Sequence, residues 1–196
     1  TRTTDKNNVV QAPATLVTIN IDTSLPTTSG TMTSDETWSG AVSLTGDVTV
    51  PAGVTLTLNA GTTIAFPALT DDQNGGANTS RSELIVNGSL IINGTETSPV
   101  AFTSNASVKA AGDWQGIKFT RNAGSVLQID HAVIEYSNYG IQYSMDGGTD
   151  SISITNSTIR ESLGKGIYIE VTGGGVLTAA LDNNDIYNHS SHGVQT

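Results

Sequence analysis

The chain has 196 residues, of which 13% are charged, and its 8 basic and 18 acidic residues give a formal net charge of −10. This length suits one domain, and a surface of this charge repels the phosphates of nucleic acids and anionic lipids. The absence of cysteine excludes disulfides and thiolate chemistry. No apolar run comes close in length to the about 18 residues that are needed to span a bilayer. We therefore expect neither a nucleic-acid partner nor membrane insertion.

The first 30 residues differ in pattern from the rest of the chain. Residues 14–21 alternate in polarity like a strand, with apolar side chains at Leu16, Val17, Ile19 and Ile21. This segment is predicted to be a cap, a linker or a strand donated to another molecule. The division of the chain is accordingly an extended segment over residues 1–30 and one domain over residues 31–196, with residues 31–40 leading into it.

Short runs of alternating polarity follow in groups of three. One group covers residues 47–50, 54–58 and 62–66, and the next covers residues 83–86, 89–92 and 100–102. A period of two indicates strands with one buried face. Two longer connections, residues 67–82 and 105–113, interrupt the spacing, and such loops are where function is usually carried.

The second half of the chain contains a repeat. The segments LQIDHAVI at 127–134, ISITNSTI at 152–159 and AALDNNDI at 179–186 align, and each is followed by a glycine and an aliphatic residue. Three short strands in a unit of this length cannot close a core alone, so the units must stack and share one. The sequence therefore predicts an all-β fold, a right-handed parallel β-helix with three strands per coil and about five to six coils.

Several of these segments together resemble the right-handed parallel β-helix repeat proteins of bacterial and archaeal surfaces, within the pectate-lyase-like superfamily. The resemblance is carried by GDVTVPAGVTLTLNAGTTI at 46–64, PVAFTS at 99–104, GDWQGI at 112–117 and the repeat above. It covers residues 31–196 and implies a protein that works outside the cell or on its surface. Because this superfamily includes lyases, glycosidases, adhesins and structural stalks, the fold alone selects no activity.

Alternation assigns outward side chains to each face of the helix. The predicted outward rows are Lys118, Gln142, Tyr168 and Gln195 on one face, Thr57, Ile91, Gln128, Ser153 and Ala180 on the second, and Glu135, Arg160 and Tyr187 on the third. A glycosidase requires two carboxylates facing each other, and these rows contain only Glu135, beside Arg160. Loop acids such as Asp113, Asp146 and Asp150 remain as alternatives for such a pair.

One turn position recurs between the second and third strands. His131, Asn156 and Asn183 occupy it, and a left-handed backbone suits asparagine there, so we expect a structural ladder of turn side chains. An alternative comes from the sequence Ile-Asp-His at 129–131, which resembles the core of the pectate-lyase motif, whose Asp binds Ca²⁺. Gln128 replaces the Trp of that motif, and no cluster of arginines accompanies it, which disfavours a lyase.

Two further kinds of site are predicted from residue type. Asp71, Asp72 and Asn74 place oxygen ligands in a glycine-rich loop and form a candidate site for Ca²⁺, with an ordinary polar turn as the alternative; no other cofactor is expected. Tyr136 and Tyr143 are predicted to point into the core. The candidate rings for stacking on sugars are Trp114, Tyr139, Tyr168 and Tyr187. For Trp114 the alternative is packing at a coil corner, which is the more frequent role of a tryptophan before a Gly-Ile pair.

The last coil reaches Thr196 within a Gly-Val strand, so Val194 is expected to lie at an open edge. Such an edge favours pairing with another copy or with the rest of a longer chain. The favoured function is an extracellular, non-catalytic structural or adhesive protein that assembles end to end into filaments. A glycan-binding module and a polysaccharide lyase or hydrolase are the alternatives.

Overall fold

The computed structural model describes residues 25–196, which form a right-handed parallel β-helix. Six complete coils of three strands are followed by the first strand of a seventh, slightly more than predicted. The predicted fold, with three strands per coil, is confirmed. Residues 31–40 do not simply lead into the first coil, because the strands between residues 30 and 43 already form a complete coil. The residues proposed for assembly at Leu16, Val17, Ile19 and Ile21 lie outside the described part of the chain.

The nineteen strands form three parallel sheets along the helix. The first sheet contains β1 (Gly30–Thr31), β4 (Val48–Val50), β7 (Glu83–Val86), β10 (Gly116–Thr120), β13 (Ile141–Asp146), β16 (Ile167–Thr172) and β19 (Val194–Gln195). The second contains β2 (Glu36–Trp38), β5 (Thr55–Asn59), β8 (Ser89–Asn93), β11 (Leu127–Asp130), β14 (Thr149–Thr155) and β17 (Val176–Ala180). The third contains β3 (Ala41–Ser43), β6 (Thr63–Phe66), β9 (Val100–Ser104), β12 (Ala132–Glu135), β15 (Thr158–Arg160) and β18 (Asp185–Tyr187).

The register of the sheets confirms the predicted outward rows. Lys118 pairs with Gln142, Gln142 with Tyr168, and Tyr168 with Gln195. The rows on the other two sheets align in the same way, through Gln128 beside Ser153 and Glu135 beside Arg160. A period of two fixes which residues face out, and the repeat fixes which of them are neighbours.

Aliphatic side chains fill the interior in stacked rows, and aromatic rings extend them. Tyr143 belongs to this core, as predicted, and its ring stacks on Phe119 with centroids 5.6 Å apart. Tyr136 does not: it is only half-buried. Its φ of 62° places it in a turn after β12, so the alternation that predicted a core position has already ended there.

A glycine precedes the first inward aliphatic residue of β10, β13, β16 and β19, and the cause is steric. A Cβ on Gly140 would lie 2.4 Å from the carbonyl oxygen of Gly166, and one on Gly166 would lie 2.6 Å from that of Gly193. Each coil thus brings its backbone against the Cα of the coil before it. Any larger residue would push adjacent coils apart.

The two predicted loops lie side by side at the corner between the third and first sheets. The amide of Leu69 donates to the carbonyl of Asp113 at 2.8 Å, and Arg81 Nε donates to the carbonyl of Gly112. The amide of Gln115 in turn donates to the carbonyl of Ser82 at 2.9 Å. We refer to this region, comprising residues 67–82, 105–115, 136–140 and 161–166, as the loop corner.

Candidate functional site

A line of hydrogen-bonded side chains crosses the outer face of the third sheet. Thr103 Oγ1 donates to Glu135 Oε1 at 2.8 Å, and Arg160 Nε and Nη2 donate to Glu135 Oε2 at 2.9 and 2.6 Å. Arg160 Nη1 then reaches the hydroxyl oxygen of Tyr187 at 3.2 Å. Glu135 is therefore a link between coils, with both carboxylate oxygens engaged.

A second line of links occupies the turn between the second and third sheets. His131, Asn156 and Asn183 have φ values of 50°, 52° and 56°. Asn183 Nδ2 donates to Asn156 Oδ1 at 3.3 Å, and Asn156 Nδ2 donates to Asp130 Oδ1 at 2.8 Å. Against the effect of its partial burial, hydrogen bonds from Asn156, His131 and Thr155 hold the pKa of Asp130 below its usual value. The carboxylate of the Ile-Asp-His segment thus joins two coils.

Trp114 is not a binding ring, and the alternative from sequence, packing at a coil corner, is the one observed. Its side chain is fully buried, its ring stacks on Phe66 with centroids 3.9 Å apart, and its indole nitrogen donates to the carbonyl of Glu135 at 2.9 Å. The residue anchors the second loop of the corner to the core. A ring enclosed in this way has no free face for a sugar.

The other predicted rings are divided between two faces. Tyr139 lies in the loop corner, and Tyr168 lies next to it at the start of β16. Lys165 Nζ lies 3.7 Å from the Tyr168 ring centroid and 5.9 Å from that of Tyr139. Lys109 lies 5.8 Å from the centroid of the nearby half-buried Tyr136, which the sequence had assigned to the core. Tyr187 is 41% exposed but lies on the third sheet beside Arg160. The aromatic surface is therefore formed by Tyr139 and Tyr168 with Lys165, and we call these three residues the aromatic corner.

A shallow cleft of about 210 Å³ opens on the outer face of the first sheet, lined by Arg121, Ser144, Asp146 and Glu170 among others. Asp146 Oδ1 accepts a hydrogen bond from Thr172 Oγ1 at 3.0 Å, and Arg121 Nη2 donates to the carbonyl of Thr149 at 3.2 Å. The cleft thus contains two acidic side chains, Asp146 and Glu170, among its lining residues.

The loop acids considered for hydrolysis do not converge. Asp113 is buried and accepts the amide of Ala110 at 3.0 Å, whereas Asp150 accepts the hydroxyl of Tyr143 at 2.6 Å. Asp113 precedes the first-sheet strand β10, while Asp146 ends β13 and Asp150 lies beyond it. Asp113 therefore lies at the opposite end of this sheet from Asp146, and Asp150 lies in the second-sheet strand β14 with one oxygen engaged by Tyr143.

The predicted calcium loop uses its oxygens internally. Asp71 Oδ1 accepts the amides of Asp47 and Gln73 at 3.1 and 3.0 Å, and its Oδ2 accepts the amide of Gly75 at 2.9 Å. Asp72 accepts Thr45 Oγ1 at 2.7 Å, which lowers its pKa. Asn74 is exposed. Within residues 25–196, no group of three or more histidine and acidic side chains is arranged to hold a metal ion.

Two acids that the sequence analysis missed lie beneath this loop. Asp47 directly precedes β4 and Glu83 starts the neighbouring strand β7. They are 4% and 0% exposed, and Asp47 Oδ1 accepts the amide of Glu83 at 2.8 Å. Burial, followed by the charges of Asp71, Glu83 and Asp72, raises the pKa of Asp47 to about 7, and burial also raises the pKa of Glu83. The available signal was an acid directly before a buried strand in two successive coils, opposite a Gly-Gly loop.

Comparison with known proteins bears on the fold alone. A family model described as a pectate-lyase like beta helix domain matches residues 30–158. No curated protein and no solved structure matches the chain. The described residues also include no helix that could cross a membrane.

Proposed function

The chain belongs to the pectate-lyase-like β-helix domain family, and we propose that it serves as a non-catalytic structural and adhesive module outside the cell or on its surface. The observation that carries this proposal is the line from Thr103 through Glu135 and Arg160 to Tyr187. It commits the carboxylate and guanidinium of the third sheet to holding four coils together. Catalysis by either group would require breaking these links.

The last coil supports a role in assembly. Strands β17, β18 and β19 each pair on one side only, and Val176 and Val194 are 60% and 41% exposed. Leu177 and Ile186 pack against the core but remain partly exposed. Unpaired strand edges and exposed apolar side chains favour the addition of a further strand. We infer that another β-helix coil, from a second copy or from the rest of a longer chain, covers this edge.

Light scattering over a range of concentrations tests this role. We expect the wild-type chain to form particles whose mass grows with concentration, and the Val194→Asp and Val176→Asp variants to lose this growth. Val108→Asp is the matched control, because Val108 is 85% exposed but lies in the loop corner. A strictly monomeric wild-type chain, or equal loss in the control, would contradict assembly between copies through this edge.

Glycan binding is the second candidate, and the aromatic corner favours it. Tyr168 lies in an outward row with Gln142 and Gln195, which offers a ring beside amide groups, the pairing that sugar recognition uses. Lys165 lies over both rings of the corner. An adhesive module binds its ligand without converting it chemically, and this surface suits that role.

Affinity electrophoresis in gels containing neutral or acidic polysaccharides tests this candidate. We expect retardation of the wild-type chain to decrease in Tyr168→Ala and Tyr139→Ala. Tyr187→Ala, which removes a ring from the third sheet, serves as the control and should retain binding. Retardation that is absent throughout, or lost only in the control, would remove the aromatic corner as a glycan site.

A further inference from the structure

The buried carboxylates beneath the first loop leave two oxygens without partners. Asp47 Oδ2 and Glu83 Oε2 are both buried and accept no hydrogen bond, whereas the second oxygen of each residue is engaged by a backbone amide, that of Glu83 in Asp47 and that of Ala77 in Glu83. An uncompensated buried acceptor is costly, and a buried charge more so. Two such atoms on adjacent coils therefore indicate a missing positive group.

Gly75 and Gly76 of the loop pass directly against these carboxylates. A Cβ on Gly76 would lie 1.7 Å from Glu83 Oε1 and 2.9 Å from Asp47 Oδ2, and one on Gly75 would lie 3.2 Å from Asp47 Oδ2. The free oxygen of Asp47 and the amide-bound oxygen of Glu83 therefore both face Gly76. Its φ of 61° also permits the close passage of the loop.

The charge around this point is strongly negative. Four carboxyl groups, those of Asp47, Asp71, Asp72 and Glu83, act on one another, and Lys118 is the basic group that acts on Glu83. The guanidinium of Arg81 is turned to the second loop, where its Nε donates to Gly112. The loop amides of Gly75 and Ala77 compensate Asp71 and one oxygen of Glu83, but not the two unpartnered oxygens.

We propose that Asp47 and Glu83 bind a hard divalent cation, of the Ca²⁺ or Mg²⁺ class, beneath residues 71–77, and that this cation holds the first loop on the first sheet. Carboxylate oxygens are the preferred ligands of such cations, and two carboxylates with water molecules or main-chain carbonyl groups form a known type of shell. The ligands differ from the loop residues expected from sequence: Asp71 and Asp72 shape the loop, while the strand residues supply the free oxygens.

The loop contains a natural reporter for this site, because Arg81 is its single lysine or arginine residue. We expect Ca²⁺ or Mg²⁺, added to chelator-treated protein at pH 8, to slow tryptic cleavage after Arg81. At a cation concentration of about 100 times Kd, the cleavable open population should fall about 100-fold. The melting temperature should rise by about 5–10 °C. Cleavage after Lys165 serves as the internal reference for trypsin activity.

Two isosteric variants make the test specific. Asp47→Asn and Glu83→Gln keep an oxygen for the amides of Glu83 and Ala77 but remove the charge. Both should lose the cation-dependent protection of Arg81, and Asp185→Asn, on the exposed β18, should retain it. The proposal is overturned if neither cation protects Arg81 in the wild-type chain, or if protection survives in both variants. It is also overturned if the neutral variants are as protected without cation as the wild type is with it, since the pair would then share a proton.

Discussion

Arg160 and Glu135 form an ion pair across adjacent coils, with Arg160 Nη2 2.6 Å from Glu135 Oε2. The two side chains differ in exposure, at 38% for Arg160 and 12% for Glu135. Without its partner, the carboxylate of Glu135 would therefore be less accessible to water than the guanidinium of Arg160. This asymmetry determines what each substitution should do.

Arg160→Met should destabilise the chain more than Glu135→Gln. Removing the guanidinium leaves a mostly buried carboxylate with Thr103 as its remaining side-chain partner, at a cost of about 2 kcal/mol, whereas the amide of Gln keeps a hydrogen bond at a cost of about 1 kcal/mol. Urea unfolding of both variants and of the double variant measures the coupling. A coupling energy of zero would show that the pair does not link the coils.

Trp114→Ala should be among the most destabilising changes in the loop corner. The buried ring stacks on Phe66, so its loss should cost about 3–5 kcal/mol in the free energy of unfolding. Trp114→Phe keeps a ring but loses the hydrogen bond to the carbonyl of Glu135, and should cost about 1–3 kcal/mol. Denaturant unfolding checks the order. Near-neutral stability of the alanine variant would mean that the residue is not an anchor.

Asn156→Ala should cost about 1–2 kcal/mol, because alanine has neither a tolerance for a φ of 52° nor a side chain for the ladder. Asn156→Gly relieves the backbone strain and should cost less. Thermal unfolding of the pair separates strain from hydrogen bonding. Equal losses in the two variants would assign the whole effect to the side-chain ladder.

Gly140→Ala should disrupt the stacking of coils. Its Cβ would meet the backbone of Gly166, which cannot move away without separating the strands, so we expect a loss of more than about 3 kcal/mol or failure to fold. Gly124→Ala is the reference, because no atom lies within 4 Å of its Cβ and only a φ of 78° opposes it, at about 1–2 kcal/mol. Soluble yield and melting temperature report both effects. Similar behaviour of the two variants would contradict the steric explanation.

The titration of His189 should make the free energy of unfolding depend on pH. Burial lowers its pKa from 6.5, and the ring lies 3.1 Å from the carbonyl of Ile159 through Nε2. Its contribution is therefore complete above pH 6.5 and declines as the pH falls toward the folded-state pKa, because the unfolded chain takes up the proton first. The difference in unfolding free energy between wild type and His189→Gln should shrink from pH 7.5 to pH 5.5. A difference that grows on acidification would show the opposite shift. The carboxyls of Asp47 and Glu83 titrate in both proteins and cancel.

The sequence predicts those features that follow from the repeat. A period of two and the spacing between units determine the outward rows through Gln142 and Arg160 and the turn at Asn156. Trp114 could not be placed in this way, because its burial depends on how residues 105–115 fold back onto Phe66. Asp47 and Glu83 are 36 residues apart, and each directly precedes an inward-facing apolar residue, so a period of two predicts that both are exposed. The loop that buries them, residues 67–82, leads directly into Glu83, but the alternation of polarity in the strands does not predict how it folds back over them.

The non-catalytic role is tested most directly by incubating the chain with a panel of acidic and neutral polysaccharides. Products are followed by the absorbance of unsaturated ends and by mass spectrometry of released oligosaccharides. We expect no product above that of the buffer, with or without Ca²⁺. Product that increases with protein concentration and disappears in Asp146→Asn or Glu170→Gln would contradict it and make the cleft of the first sheet an active site.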